Sequence, residues 1–89
     1  MNIKKINKLE RPREKALKNG IETLNNTELL AIIIKSGIKN KNVLKLSKEV
    51  LKKHNENIQN IKMESLETIK GIGKTKAIEI IASIELEKE

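Results

Sequence analysis

The chain of 89 residues contains no phenylalanine, tryptophan, tyrosine, cysteine or aspartate. Without cysteine it forms no disulfide and offers no thiol, which fits a reducing cytoplasm. Without cysteine or aspartate, and with His54 as its one histidine, it lacks the ligands of a zinc or two-metal site. Without aromatic rings it has no platform on which bases stack, so no strong preference for single-stranded nucleic acid is expected. Its core must be aliphatic, and fifteen isoleucines supply it.

Long hydrophobic runs are absent as well. The longest covers residues 29–34, far too short to span a bilayer, and the first six residues lack the apolar core of a signal peptide. A chain of this length has room for one small domain. We therefore expect a single cytoplasmic domain over residues 1–89, without a membrane partner, in which residues 1–10 form a flexible arm.

Positive charge is in excess, with a formal net charge of +7. Lysine outnumbers arginine seventeen to two, and lysine, isoleucine and asparagine supply 42 residues, a bias that an AT-rich genome also produces. The charge is unevenly spread: residues 1–20 carry +5, residues 35–53 carry +6 and residues 54–89 carry −2. The basic segments indicate a polyanionic partner, although lysine runs are also typical of a solvated surface.

Caps and apolar spacing predict five helices and an all-α fold. Pro12 suits the first turn of a helix that ends at Gly20. Asn25 and Glu28 have the spacing of a capping box, directly before the apolar residues 29–34. The three consecutive isoleucines in that run are also compatible with a strand, but the cap and the lack of alternation favour a buried helix.

The same signals predict the later helices. Asn40 or Asn42 caps a third helix that has one apolar face and lysines on the other, and residues 55–57 form a turn. Ser65 is expected to cap a short fourth helix, and Thr75 to lie at the opening of the fifth.

The most informative stretch reads as a short helix, a Gly-Ile-Gly turn and a second amphipathic helix. Gly71 and Gly73 let the backbone turn sharply, Ile72 between them enters the core, and Ala77 lets the helices pack closely. The unpaired N–H groups and the positive dipole end of the second helix then face outward as an anion site. The pattern predicts a helix-hairpin-helix over residues 64–86, although glycines also join packed helices that bind nothing.

A fainter copy of this hairpin occurs at an offset of 34 residues. Gly37 aligns with Gly71 and Ile38 with Ile72, but Lys39 replaces the second glycine, so the copy is degenerate. Two such units related by a pseudo-two-fold axis would bury both apolar faces. An accidental likeness between glycine-linked amphipathic helices is the alternative.

The order of several short motifs resembles the N-terminal domain of the RadC family, also called UPF0758, whose members are traditionally described as DNA repair proteins. The motifs are ERPREK at residues 10–15, TELLAI at residues 27–32, Ser36-Gly37 and the hairpin at residues 71–73. The resemblance covers essentially the whole chain. It implies a five-helix bundle similar to the second domain of the Holliday-junction protein RuvA, with one clear and one degenerate helix-hairpin-helix. It also implies a metal-dependent JAB/MPN domain that would begin where this chain ends.

No catalytic residue, metal ligand or cofactor is expected in this chain, so we do not expect it to be an enzyme. His54, near the end of a basic helix, is interpreted as a partner of the helix dipole or as a solvated residue. We expect a module that holds DNA phosphates, on duplex or branched DNA, and reads no base edges. The residues assigned to this role are Gly71, Ile72, Gly73, Lys74, Thr75 and Lys76 of the hairpin, with Lys39 and Lys41 of the degenerate copy.

A protein-interaction module is the alternative function. Residues 54–89 are net negative, and Ile78, Ala82 and Leu86 are apolar but lie outside the core stripe of the last helix. These residues would dock the JAB/MPN domain or a second copy of the chain.

Overall fold

The computed structural model describes residues 11–88, which contain five α-helices and two turns of 3₁₀ helix. The only extended pairing among them is an isolated antiparallel bridge between Ile38 and Lys41. The predicted all-α fold is confirmed, whereas the arm predicted for residues 1–10 lies outside the described residues. The α-helices are α1 (Pro12–Asn19), α2 (Asn26–Ile34), α3 (Val43–Lys53), α4 (Met63–Leu66) and α5 (Lys74–Lys88), and the 3₁₀ turns are Ile21–Thr23 and Ile58–Asn60.

The bounds of α1 and α2 follow from their caps. Pro12 opens α1, and Gly20 ends it with a φ of 96°. At α2, Asn25 Oδ1 accepts from the Glu28 N–H at 2.9 Å, and Glu28 Oε1 accepts from the Asn25 N–H at 3.0 Å. This is the predicted capping box, and residues 29–34 are helical rather than a strand.

The caps of α3 and α4 differ in how well the sequence predicts them. Asn42, not Asn40, caps α3, since its Oδ1 accepts from the Lys45 N–H at 2.8 Å. The cap predicted at Ser65 is wrong. The N-cap of α4 lies three residues earlier, at Lys62, which makes no side-chain capping bond. Ser65 therefore lies inside the helix, where its hydroxyl has a different partner.

The core is aliphatic and lies where α2 packs against α3 and α5, with α4 against α5. Along α5, Ala77, Ile80 and Ile84 are buried and Ile81 is half-buried, so one apolar stripe of this helix faces the core. Packing of this kind fixes the helix on which the second hairpin turn depends. The other buried core residues are Leu24, Leu30, Ala31, Ile34, Val43, Leu46, Val50, Leu51, Ile61, Leu66, Ile69 and Ile72.

Candidate nucleic-acid interface

The second hairpin turn connects α4 to α5 through residues 67–73. The Ile72 N–H donates to Ile69 O at 3.0 Å, which closes a turn with Gly71 at its third position. Gly71 has a φ of 107°, a conformation that side chains other than glycine rarely adopt. Ile69 and Ile72 are both buried. The turn is therefore anchored in the core on either side of a glycine that its geometry requires.

The start of α5 is the open part of this turn. A Cβ built on Gly73 would meet no atom within 4 Å. Gly73 precedes the helix and has no side chain with which to cap it, and the Ala77 N–H makes the first bond, to Gly73 O at 2.9 Å. Within residues 11–88, the N–H groups of residues 73–76 have no acceptor. Lys74 and Thr75 are exposed beside them.

The first hairpin turn, residues 35–42 between α2 and α3, is closed instead. The Ile38 N–H donates to Lys41 O at 2.8 Å, and the Lys41 N–H donates to Ile38 O at 3.0 Å. A Cβ on Gly37 would lie 2.1 Å from Lys41 O, so the backbone passes too close for any other residue. Asn42 already caps α3. This turn therefore leaves no open helix start comparable to that of α5.

The two hairpin turns lie against each other. A Cβ on Gly71 would lie 3.2 Å from both Cδ atoms of Leu46 and 3.5 Å from Cδ1 of Ile38. Gly71 therefore packs directly on α3 and on the first turn. The helix starts are out of step, however, because Val43 opens α3 whereas its counterpart Ala77 lies one turn inside α5.

The lysines assigned to phosphate binding fall into two groups. Lys39 and Lys74 are exposed and form no ion pair with the described residues. Lys41 binds Glu49 through Nζ and also donates to Lys70 O at 3.2 Å. Lys76 donates to Ser36 O at 2.7 Å. Nothing in the sequence distinguishes Lys41 and Lys76 from Lys39 and Lys74, since all four side chains are predicted to be surface cations.

His54 is buried rather than solvated, with 5% of its surface exposed. It stands at the C-cap of α3, where its Nδ1 donates to Val50 O at 2.7 Å. Its Nε2 lies 2.6 Å from Ser65 Oγ in α4. The Ser65 hydroxyl is also 3.2 Å from Lys62 O. His54 thus ties the end of α3 to the helix that enters the second hairpin, a role that sequence spacing does not reveal.

Residues 11–88 contain neither a cluster of three metal-ligating side chains nor a helix long and apolar enough to cross a membrane. A carboxyl group with a lowered pKa lies at the α2 cap, far in sequence from the second hairpin. The Asn25 N–H, followed by Lys15 Nζ at 3.0 Å, lowers the pKa of Glu28 below its ordinary value of 4.5. The start of α5 has the features of an anion-binding surface, namely backbone N–H groups without acceptors at residues 73–76 and the exposed Lys74 beside them.

Comparison with known proteins places the chain in one family. The UPF0758 N-terminal model matches residues 3–78. The chain is 43% identical over 88 residues to a UPF0758 protein of Clostridium botulinum strain Hall and 46% identical over 90 residues to one of strain Eklund 17B. These matches cover 97% and 99% of the chain but 39% of each relative, so the chain spans about two-fifths of their length. No solved structure matches significantly. The chain belongs to the UPF0758 family and corresponds to its N-terminal domain.

Proposed function

We propose that this domain binds DNA through the phosphate backbone, without reading the base sequence, at its second hairpin. The observation that carries the proposal is the start of α5, where Gly73 leaves the helix uncapped and open to solvent. Free N–H groups and the helix dipole attract an anion there. Lys74 adds a cation and Thr75 a hydroxyl donor. Such contacts touch phosphates only and therefore carry no sequence information.

The lysine face of α3 supports the proposal, because it extends the positive field beyond the hairpin. Lys45, Lys48, Lys52 and Lys53 are exposed and form no ion pair with the described residues. They attract a polyanion over a wider surface than one turn offers. A dissociation constant on the order of 10⁻⁴–10⁻⁶ M at physiological salt is expected for contacts of this type.

The proposal is tested by reversing the charge at each end of α5. Lys74→Glu is expected to weaken binding to a labelled duplex by about tenfold or more, because it places a carboxylate where the phosphate would lie. Lys88→Glu is the matched control. It makes the same change in net charge at an exposed position of the same helix, about 21 Å away at 1.5 Å per residue. Equal losses from the two variants would show that only net charge matters and would overturn the assignment to the hairpin.

A salt titration then counts the contacts. A log–log slope of about −2 to −4 corresponds to two to four neutralised phosphates at about 0.9 per contact. Tighter binding to a branched substrate than to a duplex would support a role at DNA junctions. Failure to bind either substrate at low salt would contradict the proposal.

The wider setting of this activity is proposed from the resemblance to the RadC family. In that setting the domain serves a DNA repair protein and is followed by a metal-dependent JAB/MPN domain. The length of the relatives, of which the chain covers 39%, leaves room for such a second domain. Neither the repair role nor the metal-dependent activity follows from residues of this chain.

A docking function is the second candidate, and it is favoured by an unpartnered face of α5. Ile78 is 53% exposed and Leu86 74% exposed, with exposed Ala82 between them at the same helical spacing. The remaining part of the UPF0758 chain is the partner proposed for this face. Ile78→Lys is expected to abolish association with that part, supplied as a separate polypeptide, and Leu17→Lys on α1, which is 82% exposed, is the control. Retained association in the Ile78 variant would contradict the docking proposal.

A further inference from the structure

Two lysines cross between the hairpins in opposite directions. Lys41 of the first turn donates through Nζ to Lys70 O in the second turn, at 3.2 Å. Lys76, at the start of α5, donates through Nζ to Ser36 O in the first turn at 2.7 Å and to Ser36 Oγ at 3.2 Å. Each turn thus supplies one carbonyl acceptor, and each hairpin supplies one lysine donor. These two contacts are called the cross-hairpin ties below.

The two acceptor carbonyls occupy equivalent places. Ser36 comes directly before Gly37 and Lys70 directly before Gly71, and the two are separated by the 34-residue offset of the repeat. Each carbonyl therefore belongs to the peptide unit that leads into a hairpin glycine. The ties hold the two turns at the same point of their pseudo-symmetric pair, beside the contact of Gly71 with Leu46.

The backbone directly before Ser36 is strained. Lys35 has a φ of 75° and a ψ of −44°, and the Ser36 N–H donates to Ile34 O at 2.9 Å. This is a γ-turn of the rare, strained type. Strain of this kind persists only where surrounding contacts hold it. Lys76 on Ser36 and the Lys35–Glu79 ion pair at 3.4 Å are the contacts that join this turn to α5.

Neither lysine is well placed to serve mainly as a phosphate ligand. The charge of Lys41 is already matched by Glu49, and only 19% of its side chain is exposed. Lys76 Nζ is held by the two Ser36 oxygens, at 2.7 Å and 3.2 Å. Lys74, in contrast, is exposed and has no ion-pair partner among the described residues.

We propose that Lys41 and Lys76 are positioning residues, which hold the second turn against the first through the cross-hairpin ties and so set the anion site at the start of α5. The inference rests on the proposed DNA-binding function. It reassigns two of the predicted phosphate ligands and leaves Lys74, Thr75 and the main chain as the groups that touch the phosphate.

The salt dependence of binding separates positioning from contact. Lys76→Met is expected to weaken binding to a short mixed-sequence duplex by roughly three- to tenfold while the log–log salt slope stays unchanged. Lys74→Met is the matched control, since losing one phosphate contact makes the negative log–log slope less steep by about 0.9. Lys41→Met is expected to act like Lys76→Met, and the double variant to differ from the sum of the single effects because both ties hold one arrangement.

Every outcome bears on the inference. A log–log slope that becomes less steep by about 0.9 in Lys76→Met would show that this lysine contacts phosphate, and would overturn the positioning role. An unchanged affinity would show that the ties do not set the site. Hydrogen exchange of the Ile38 and Ile72 amides, which close the two turns, needs no DNA. Faster exchange in Lys76→Met supports the ties even if the wild-type chain fails to bind DNA, and unchanged exchange overturns them.

Discussion

The two hairpins share a pattern but differ in what they leave open. In the first, Ile38 and Lys41 exchange two backbone hydrogen bonds, the backbone passes close to Gly37, and Asn42 caps α3. In the second, Gly71 is held against Leu46, but Gly73 faces solvent and the start of α5 has no side-chain cap. One hairpin is a closed structural turn, and the other combines a rigid anchor with an unsatisfied helix start.

The difference lies in the residue that follows the shared Gly-Ile pair. Gly73 in the second hairpin is followed at once by α5, so the N–H groups of residues 73–76 have no acceptor among the described residues. Lys39 at the matching place of the first hairpin begins a further turn, and α3 starts only at Val43, behind Asn42. Where lysine stands in place of the second glycine, the helix start is capped, while the turn still packs against the other hairpin.

The glycines give the largest expected effect on stability. Gly37→Ala is expected to lower the free energy of unfolding by about 3 kcal/mol or more, since its Cβ would lie 2.1 Å from Lys41 O and 2.6 Å from Asn42 C. Gly73→Ala is the control and is expected to change stability by less than about 1 kcal/mol, because its Cβ meets no atom within 4 Å. Urea denaturation measures both. Equal stabilities would show that the first turn relaxes freely and is not closed.

The sequence predicts most of the fold because its signals are local. The Asn25–Glu28 capping box, Gly20 at the end of α1 and the aliphatic stripe of α5 each depend on spacing within one helix. Contacts between elements escape such reasoning. Nothing near Ser65 in sequence announces His54 as its partner, so the hydroxyl reads as a helix cap.

The candidate site divides in the same way. The open Gly73 follows from the hairpin pattern, because the start of a helix exposes its own N–H groups. The role of a lysine depends on what lies across the fold. Lys41 and Lys74 cannot be told apart by sequence, yet the first meets Glu49 and a carbonyl, and the second is exposed to solvent.

The anchoring of α4 gives a smaller expected effect. α4 has four residues and no side-chain cap, and it is held by the buried Leu66 and by the His54–Ser65 contact. Because Val50 O can only accept, Nδ1 donates to it, and Nε2 has the Ser65 hydroxyl, 2.6 Å away, as its partner. Ser65→Ala leaves that buried nitrogen without a partner and is expected to cost about 1–3 kcal/mol in unfolding free energy.

The matched control for this variant is Ser83→Ala on α5. The Ser83 hydroxyl donates to Glu79 O at 3.0 Å within its own helix, and its loss is expected to be nearly neutral. Thermal unfolding of both variants checks the difference. If the Ser65 variant is as stable as the Ser83 variant, α4 does not need His54, and the second hairpin is anchored by its buried isoleucines alone.

The first hairpin, in contrast, follows the capped helix α2. A change in the cap of α2 gives the smallest expected effect on stability. The pKa of Glu28 is lowered in the folded chain, chiefly by the Asn25 N–H and then by Lys15. The stability it contributes is therefore fully present above its unfolded pKa and is lost as the pH falls through the lower folded value. Glu28→Gln keeps an acceptor for the Asn25 N–H but has no charge, and it is expected to cost a few tenths to about 1 kcal/mol near neutral pH.

The pH dependence identifies the cause of that loss. The difference in unfolding free energy between the wild type and Glu28→Gln is expected to be constant above about pH 4.5 and to shrink as the pH falls below it. Lys15→Met is expected to reduce the difference, because the lysine contributes to the lowered pKa through its 3.0 Å contact. A difference that is independent of pH would mean that the carboxylate charge contributes nothing. The entry to the first hairpin would then rest on cap geometry and packing, as the entry to the second rests on His54 and its core.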